Sequence, residues 1–279
     1  MSKQRVIFCT YSSIYSSKVL AHLIANTNID VVAIVNSTRV IHPSYGFIRG
    51  AIKQIQASGL RYATYLFMVT DLFRWFQPLF HKGALKTVHK FASENNIPVL
   101  DTQDINQAES IQFIQQAKPG YLLAAHFNQL LKAPVLNLPE MECINIHPSL
   151  LPNYKGVDPV FFALLEQNKE LGQDKKLEQE EIIGVTLHKM AESFDSGEIL
   201  MQESISSTPS NSLFINNCQL FKQGAKLAIK WINDSQPKPI KFGDNAQGQY
   251  DSWPSTQQIK RYKKMGNHLI TLSEFWKAK

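Results

Sequence analysis

At 279 residues, with 44% hydrophobic and 19% charged side chains, the chain is long enough for a substantial core and too apolar to stay disordered. Its 29 basic and 23 acidic residues leave a net charge of +6, which suits an anionic small molecule, a nucleic acid or an acidic membrane surface and selects none of them. Cys9, Cys143 and Cys218 lie far apart and read as reduced thiols, not as a disulfide framework or a metal site. With no bilayer-spanning apolar stretch and no secretory leader, the expected location is the cytoplasm.

The first apolar run, RVIFCT at 5–10, predicts a buried strand, and 16–27 predicts a helix with Val19, Leu20, Leu23 and Ile24 on one face. Further strands are expected at 30–36, 97–100, 120–126 and 143–147, with helical patterns at about 84–95 and 105–117. Continuously apolar strands alternating with helices predict an α/β fold whose mostly parallel sheet is covered on both faces. The close-set runs 182–190 and 198–205 predict an antiparallel extension. A helix at 211–233 follows, with Leu213, Leu220, Ala228 and Ile232 among its apolar positions, and then a polar tail from Ser235 with one short helix near 255–264. The first strand–helix turn, CTYSSIYSS, contains no glycine. A dinucleotide pyrophosphate needs the close backbone approach that glycines allow there, so the turn argues against NAD or FAD.

Two segments interrupt this pattern. Residues 40–83 are long and aromatic and carry two readings. One is a pair of helices packed on the domain or on a second copy in a homodimer. The other is a lid or a membrane-surface contact through residues 47–80, with Phe67, Phe73, Trp75 and Phe80 as anchors. The charged stretch 167–181 reads as a solvated loop.

The chemistry points to CINIHPSLLPNYKG, residues 143–156. In a parallel sheet, ligands bind at the carboxyl ends of strands, and His147 sits at such an end. Asn145 and His147 are two apart, so a strand presents both on one face. Pro148 and Pro152 stiffen the exit. An amide beside an imidazole can stabilise an oxyanion or carry a proton. Asp195, in ESFDSGEIL, precedes a strand, and Gly197 permits a sharp turn there. A carboxylate at that place can fix a histidine tautomer or simply close an Asx turn.

The stretch NIHPSLLPNYKGVDPVFFALL followed by GVTLHKMAESFDSGEIL resembles the folate-dependent formyltransferase family, which includes the methionyl-tRNA, glycinamide ribonucleotide and sugar N-formyltransferases. The resemblance covers about residues 85–235. It implies the formyltransferase fold, a Rossmann-like, mostly parallel sheet with helices on both faces, plus a small C-terminal appendage. It further implies a catalytic domain at 1–235 with a helical insertion at about 40–83, and an accessory segment at 236–279. Asn145, His147 and Asp195 would be the catalytic trio, moving a formyl group from N10-formyltetrahydrofolate to a primary amine without a metal. The folate pocket would draw on Leu123, Ala125, His126, Phe127, Ala191, Ser193 and Phe194. The acceptor would face Ser149, Tyr154, Lys155 and Asp158. His126-Phe127 stands where many members of the family have Tyr-Gly, which alters the expected pocket wall.

The resemblance leaves the acceptor open. Chain size favours a nucleotide-linked amino sugar or a similar small molecule, and nucleic acid is not the expected partner. The alternatives are a methionyl-tRNA formyltransferase-like enzyme, a formyltetrahydrofolate hydrolase, a glycinamide ribonucleotide formyltransferase and an inactive folate-binding module.

Overall fold

The computed structural model describes residues 3–40, 42, 45–76, 85–170, 181–208, 211–234 and 248–277. Nine strands are present among them: β1 (Gln4–Thr10), β2 (Ile29–Ser37), β3 (Val99–Thr102), β4 (Tyr121–Ala125), β5 (Glu142–His147), β6 (Lys155–Gly156), β7 (Glu181–Lys189), β8 (Ile199–Ser207) and β9 (Tyr250–Asp251). Seven form one sheet in the order β3-β2-β1-β4-β5-β7-β8. β1 to β5 pair in parallel, and β7 and β8 join antiparallel, as the spacing of the runs predicted.

Alternate side chains of each central strand enter opposite cores. Val6, Phe8, Leu123 and Ala125 join the larger core, and Ile7, Cys9, Leu122 and Ala124 the smaller. Both faces are therefore dry, which is why these strands read as unbroken apolar runs and not as alternation. The helices Ile14–Ala25 and Leu213–Asn233 contribute Val19, Leu20, Leu23, Leu220 and Phe221 to the larger core. The helix Ala108–Ala117 contributes Ile114 to the smaller one.

The first helix starts at Ile14, two residues before its expected start. Ser13 and Ser16 form a reciprocal cap: the Ser13 hydroxyl accepts from the Ser16 amide, and the Ser16 hydroxyl from the Ser13 amide. Those serines read in sequence as turn residues. β3 likewise begins at Val99, past Pro98, which has no N–H to pair.

The helical part of the 40–83 insertion, Phe47–Phe67, is two helices meeting at Gly59, whose backbone is not helical (φ 82°, ψ 163°), as one of the two readings expected; the second helix runs through a π-helical turn, Met68–Leu72, into Phe73–Phe76. Residues 77–83 lie outside the described residues, and the expected anchor Phe80 with them. Phe73 is buried in the core, and Trp75 is exposed. Residues 171–180 of the charged stretch are also outside the described residues, but its first residues, up to Glu170, continue the helix Pro159–Glu170.

The expected domain boundary at 235/236 lies outside the described residues too. Beyond it, the chain folds back onto the rest. The helix Thr256–Lys264 buries Ile259 and Tyr262, and Tyr262 packs 4.7 Å from Phe161, centroid to centroid. Lys260, Arg261, Lys263 and Lys264 are left in solvent. The Leu213 and Phe214 amides donate to His268 and Leu269 carbonyls.

Candidate active site

A cavity of about 700 Å³ opens where the carboxyl ends of β4 and β5 meet β7, the helix Phe47–Phe67 and the tail. Its floor is set by strand register. Asn145 of β5 lies directly opposite His188 of antiparallel β7. The Asn145 Nδ2 is 3.0 Å from His188 Nε2, and His188 Nδ1 is 2.7 Å from the Lys189 carbonyl. Only one assignment satisfies both contacts: Nδ1–H donates to the carbonyl, and Nε2 accepts from the amide. His188 is thus held as the neutral ring. Burial, and then the neighbouring His147, push its pKa down to about 4.

His147 is buried, and its Nε2–H donates to the Tyr154 carbonyl at 3.0 Å. Tyr154 has a left-handed backbone (φ 55°), and its carbonyl also accepts from the Ser149 hydroxyl. His147 Nδ1 faces Asp195 Oδ1 at 3.4 Å, and His188 Nε2 lies 3.7 Å from the same oxygen. The other carboxylate oxygen, Oδ2, accepts the Gly156 amide at 2.8 Å. Asp195 also adopts a left-handed backbone (φ 51°), which aspartate tolerates better than most residues. A Cβ at Gly197 would lie 1.9 Å from the Lys189 carbonyl, so the return of the chain to β8 requires glycine. One carboxylate therefore meets two imidazoles, one of which is already neutral.

The loop after β5 is clamped from β7 and β8. Thr186 Oγ donates to the Ser149 carbonyl at 2.6 Å and accepts from the Leu151 amide, and Gln202 Nε2 donates to both the Leu151 carbonyl and Thr186 Oγ. This network fixes the loop more firmly than the two prolines alone.

The tail supplies part of the wall. β9 pairs in parallel with β6, setting Tyr250 beside Lys155 and Asp251 beside Gly156. A Cβ at Gly156 (φ 113°) would fall 1.9 Å from the Asp251 carbonyl, so only glycine allows this approach. Tyr250 and Trp253 both line the cavity.

Further around the wall, Asp158 is buried. Its Oδ2 accepts the Tyr62 hydroxyl at 2.7 Å, and its Oδ1 accepts the Phe161 amide at 3.4 Å at the start of a helix. Burial pushes its pKa up to about 6 against the opposing pull of these two bonds. Tyr15 and Tyr65, also on this side of the cavity, share a hydroxyl–hydroxyl contact of 2.6 Å.

Asn145, His147 and Asp195, expected to act together, come together in the cavity. Of the residues expected around folate, His126, Phe127, Ala191, Ser193 and Phe194 line it, whereas the Leu123 and Ala125 side chains lie in the large core. His126 (φ 52°) is fixed by paired bonds with Tyr11: its Nδ1 lies 3.1 Å from the Tyr11 carbonyl, and its own carbonyl accepts the Tyr11 amide. Burial among Tyr11, Tyr15 and Phe221 lowers its pKa and keeps it neutral. Of the residues expected around the acceptor, Asp158 lines the cavity and Ser149, Tyr154 and Lys155 do not. Ser149 is spent on backbone carbonyls, and Tyr154 packs on the core and acts through its carbonyl.

Sequence reasoning missed His188, Thr186, Tyr62 and Trp253. Thr186 and His188 did leave a signal: polar residues two apart inside the apolar run GVTLHKM, on the strand neighbouring β5. Among the described residues, no group of three or more His, Cys, Asp or Glu is placed to hold a metal ion, and no helix is long and apolar enough to cross a membrane.

Comparison with known proteins gives this geometry a family. A methionyl-tRNA formyltransferase of Thermotoga maritima is 34% identical over 151 residues, which is 54% of this chain and 44% of that protein. The chain spans about half the length of the curated relatives it matches. Among solved structures, a 4-N formyltransferase from Francisella tularensis superposes with a TM-score of 0.54 at 19% identity, over 97% of this chain and 84% of that one. An N-formyltransferase from Helicobacter canadensis, in complex with folinic acid and dTDP-3-aminofucose, gives a TM-score of 0.51 at 16% identity, over 90% of this chain and 71% of that one. These two likenesses concern the fold. The sequence pattern described as Formyl transferase matches residues 46–227, well over half of the molecule and the whole stretch from Asn145 to Asp195, and on that ground the chain belongs to the formyl transferase family.

Proposed function

We propose that the protein transfers a formyl group from N10-formyltetrahydrofolate to a primary amine carried by a small molecule, in the first place an amino sugar linked to a nucleotide. The observation that carries this reading is the meeting of Asn145, His147 and Asp195 in one cavity. Residues 1–235 would form the catalytic unit, acting in the cytoplasm, with 236–279 as an accessory segment bordering the acceptor.

In this mechanism the acceptor amine attacks the formyl carbon, a new C–N bond forms, and the carbonyl electrons move to oxygen. The second Nδ2–H of Asn145, whose first is held by His188, donates to that oxyanion. His147, protonated on Nδ1 against Asp195, lends positive charge beside it. The amine proton passes to Asp195, directly or through water. Collapse of the intermediate then re-forms the formyl C=O and breaks the bond to N10 of the folate, and the proton held by Asp195 passes through water to N10 as tetrahydrofolate leaves. The apolar side chains of Phe127, Met190, Ala191 and Phe194 would lie against the pterin. Asp158, buried with its tyrosine donor, would accept a hydroxyl or ammonium group of the acceptor and fix the amine's approach.

A second reading is favoured by the curated relatives at 30–34% identity, which are methionyl-tRNA formyltransferases. Release of tetrahydrofolate from N10-formyltetrahydrofolate separates the readings when it is followed with nucleotide-linked amino sugars, with methionyl-tRNA and with water alone. Turnover with an amino sugar is the expected outcome. Turnover only with methionyl-tRNA would replace the acceptor, and turnover in water alone would make the protein a hydrolase. No turnover with any of them, and no folate binding, would overturn the reading altogether.

A further inference from the structure

We propose that the outer face of the helix Phe47–Phe67 docks onto an anionic lipid bilayer. In its first segment, Gly50, Gln54 and Ser58 are buried against the body. The apolar side chains that a helix of this register leaves outside are Ile48, Ile52 and Ile55, exposed by 75%, 50% and 40%. Their spacing, i, i+4 and i+7, puts them on one continuous stripe. Phe47 (47% exposed) borders the stripe, and Trp75 (54%) lies 6.3 Å from Phe47, ring to ring, which widens the patch with the kind of aromatic side chain that settles at headgroup level. Ile48, Ile52, Ile55, Phe47 and Trp75 make this a contiguous apolar surface, not a scatter of single residues.

The charge around the isoleucine stripe has one sign, and only near Trp75 does an acid, Asp71, accompany a cation, Arg74. Arg49 and Lys53 are exposed next to the isoleucines, Arg61 lies just past the kink, and Arg74 is beside Trp75. From residue 31 to residue 70 the sequence contains no aspartate or glutamate, while Arg39, Arg49, Lys53 and Arg61 fall within it. Among the described residues, none of Arg49, Lys53 and Arg61 forms a salt bridge with a carboxylate. An apolar stripe flanked only by cations is the pattern of a helix lying in a lipid interface. It also argues against a second copy as the occupant. A two-fold seam would set the same unpaired cations against one another, and like charges across an interface cost binding.

Position gives this contact a use. Phe47, Ile55 and Leu60 belong both to the exposed surface and to the lining of the active-site cavity. Docking would therefore bring the cavity rim to the bilayer, within reach of an amine whose carrier is a lipid. That consequence for the acceptor rests on the formyl-transfer reading. The docking itself does not, and it is measured without folate.

The test is flotation of the full chain with two kinds of vesicle, phosphatidylcholine alone and phosphatidylcholine mixed with phosphatidylglycerol. Binding is expected to the mixed vesicles, to be weak on the neutral ones and to fall as salt is raised. Lys53→Gln and Arg61→Gln should each weaken it about fivefold. The pair Ile48→Asp and Ile52→Asp should abolish it while leaving the thermal melt unchanged, because both side chains are in solvent. Failure of the unaltered protein to float with either vesicle would overturn the proposal, as would equal flotation with both. Unaltered binding by the aspartate pair would do the same. So would a dimer in sedimentation velocity that this pair dissolves, since the face would then be a seam between copies.

Discussion

The two walls of the cavity are built in different ways. One wall is made by the sheet: Asn145, His147 and His188 sit at fixed register on β5 and β7, and Asp195 is in the turn that leaves β7. Asn145 and His188 are 43 residues apart, and the pairing of β5 with β7 sets their separation. The other wall is assembled from distant segments. Tyr62 reaches Asp158 across 96 residues, and β9 pairs with β6 across about as many. The comparison teaches that the first wall can hold one geometry through large changes elsewhere, whereas the second can be exchanged piece by piece. In the proposed reaction, chemistry would belong to the first and choice of acceptor to the second.

Substitutions can break or sharpen that division. The largest effect is expected in the sheet wall. His147→Ala should lower the rate of formyl transfer by on the order of 10²–10³, as measured by tetrahydrofolate release, and loss of the buried donor to the Tyr154 carbonyl should lower the melting temperature while the protein still folds. A variant with near-full activity would remove the sheet wall from the chemistry. On the assembled wall, Trp253→Ala should raise the KM for the acceptor and leave the KM for the folate donor alone. An equal rise in both would show that the walls do not divide the two substrates.

Asp158→Asn should do opposite things to activity and stability. The amide oxygen can still accept from Tyr62 and the buried charge is gone, but the amide nitrogen now faces the Phe161 N–H and that weak 3.4 Å bond is lost. Acceptor affinity should fall while stability at neutral pH rises by about 1–2 kcal/mol, read from denaturant unfolding. The sign follows from the protons. With a folded pKa of about 6 and an ordinary value of 3.8, the native state binds more protons than the unfolded chain across that window, so Asp158 removes stability as pH rises through it. His188 works the other way. Held at about 4 against 6.5, it removes stability as pH falls through a similar window. The two partly cancel in the unaltered protein, and Asp158→Asn should expose a steeper loss of stability on acidification. The smallest effect is expected from Lys260→Gln, on the solvated face of the tail helix, which should leave both activity and stability within error.

The sheet was legible because burial on both faces writes itself into sequence as unbroken apolar runs, as in RVIFCT and GYLLAAH. Asn145, His147 and Asp195 were legible as a motif, and the strand spacing by itself placed the first two on a common face. The clamp of Thr186 and Gln202 on the motif loop was not, because it depends on which strand lies beside which. Tyr154 shows a different limit. Its side chain drew attention, yet its part in the site is played by its carbonyl, and no side-chain pattern reports where a carbonyl points. The pairing of β6 with β9 could not be read at all, since two-residue strands carry no periodicity.

Gly156 joins these two constructions at a single peptide. Its amide holds the Asp195 carboxylate, and its backbone is the strand on which the tail lies. A molecule that pushes on Tyr250 or Trp253 therefore pushes, through one residue, on the group that orients His147. Recognition at the far wall and readiness at the sheet need not be separate events. In the proposed reaction, an acceptor seated against the tail would bear on the same peptide that holds the Asp195 carboxylate.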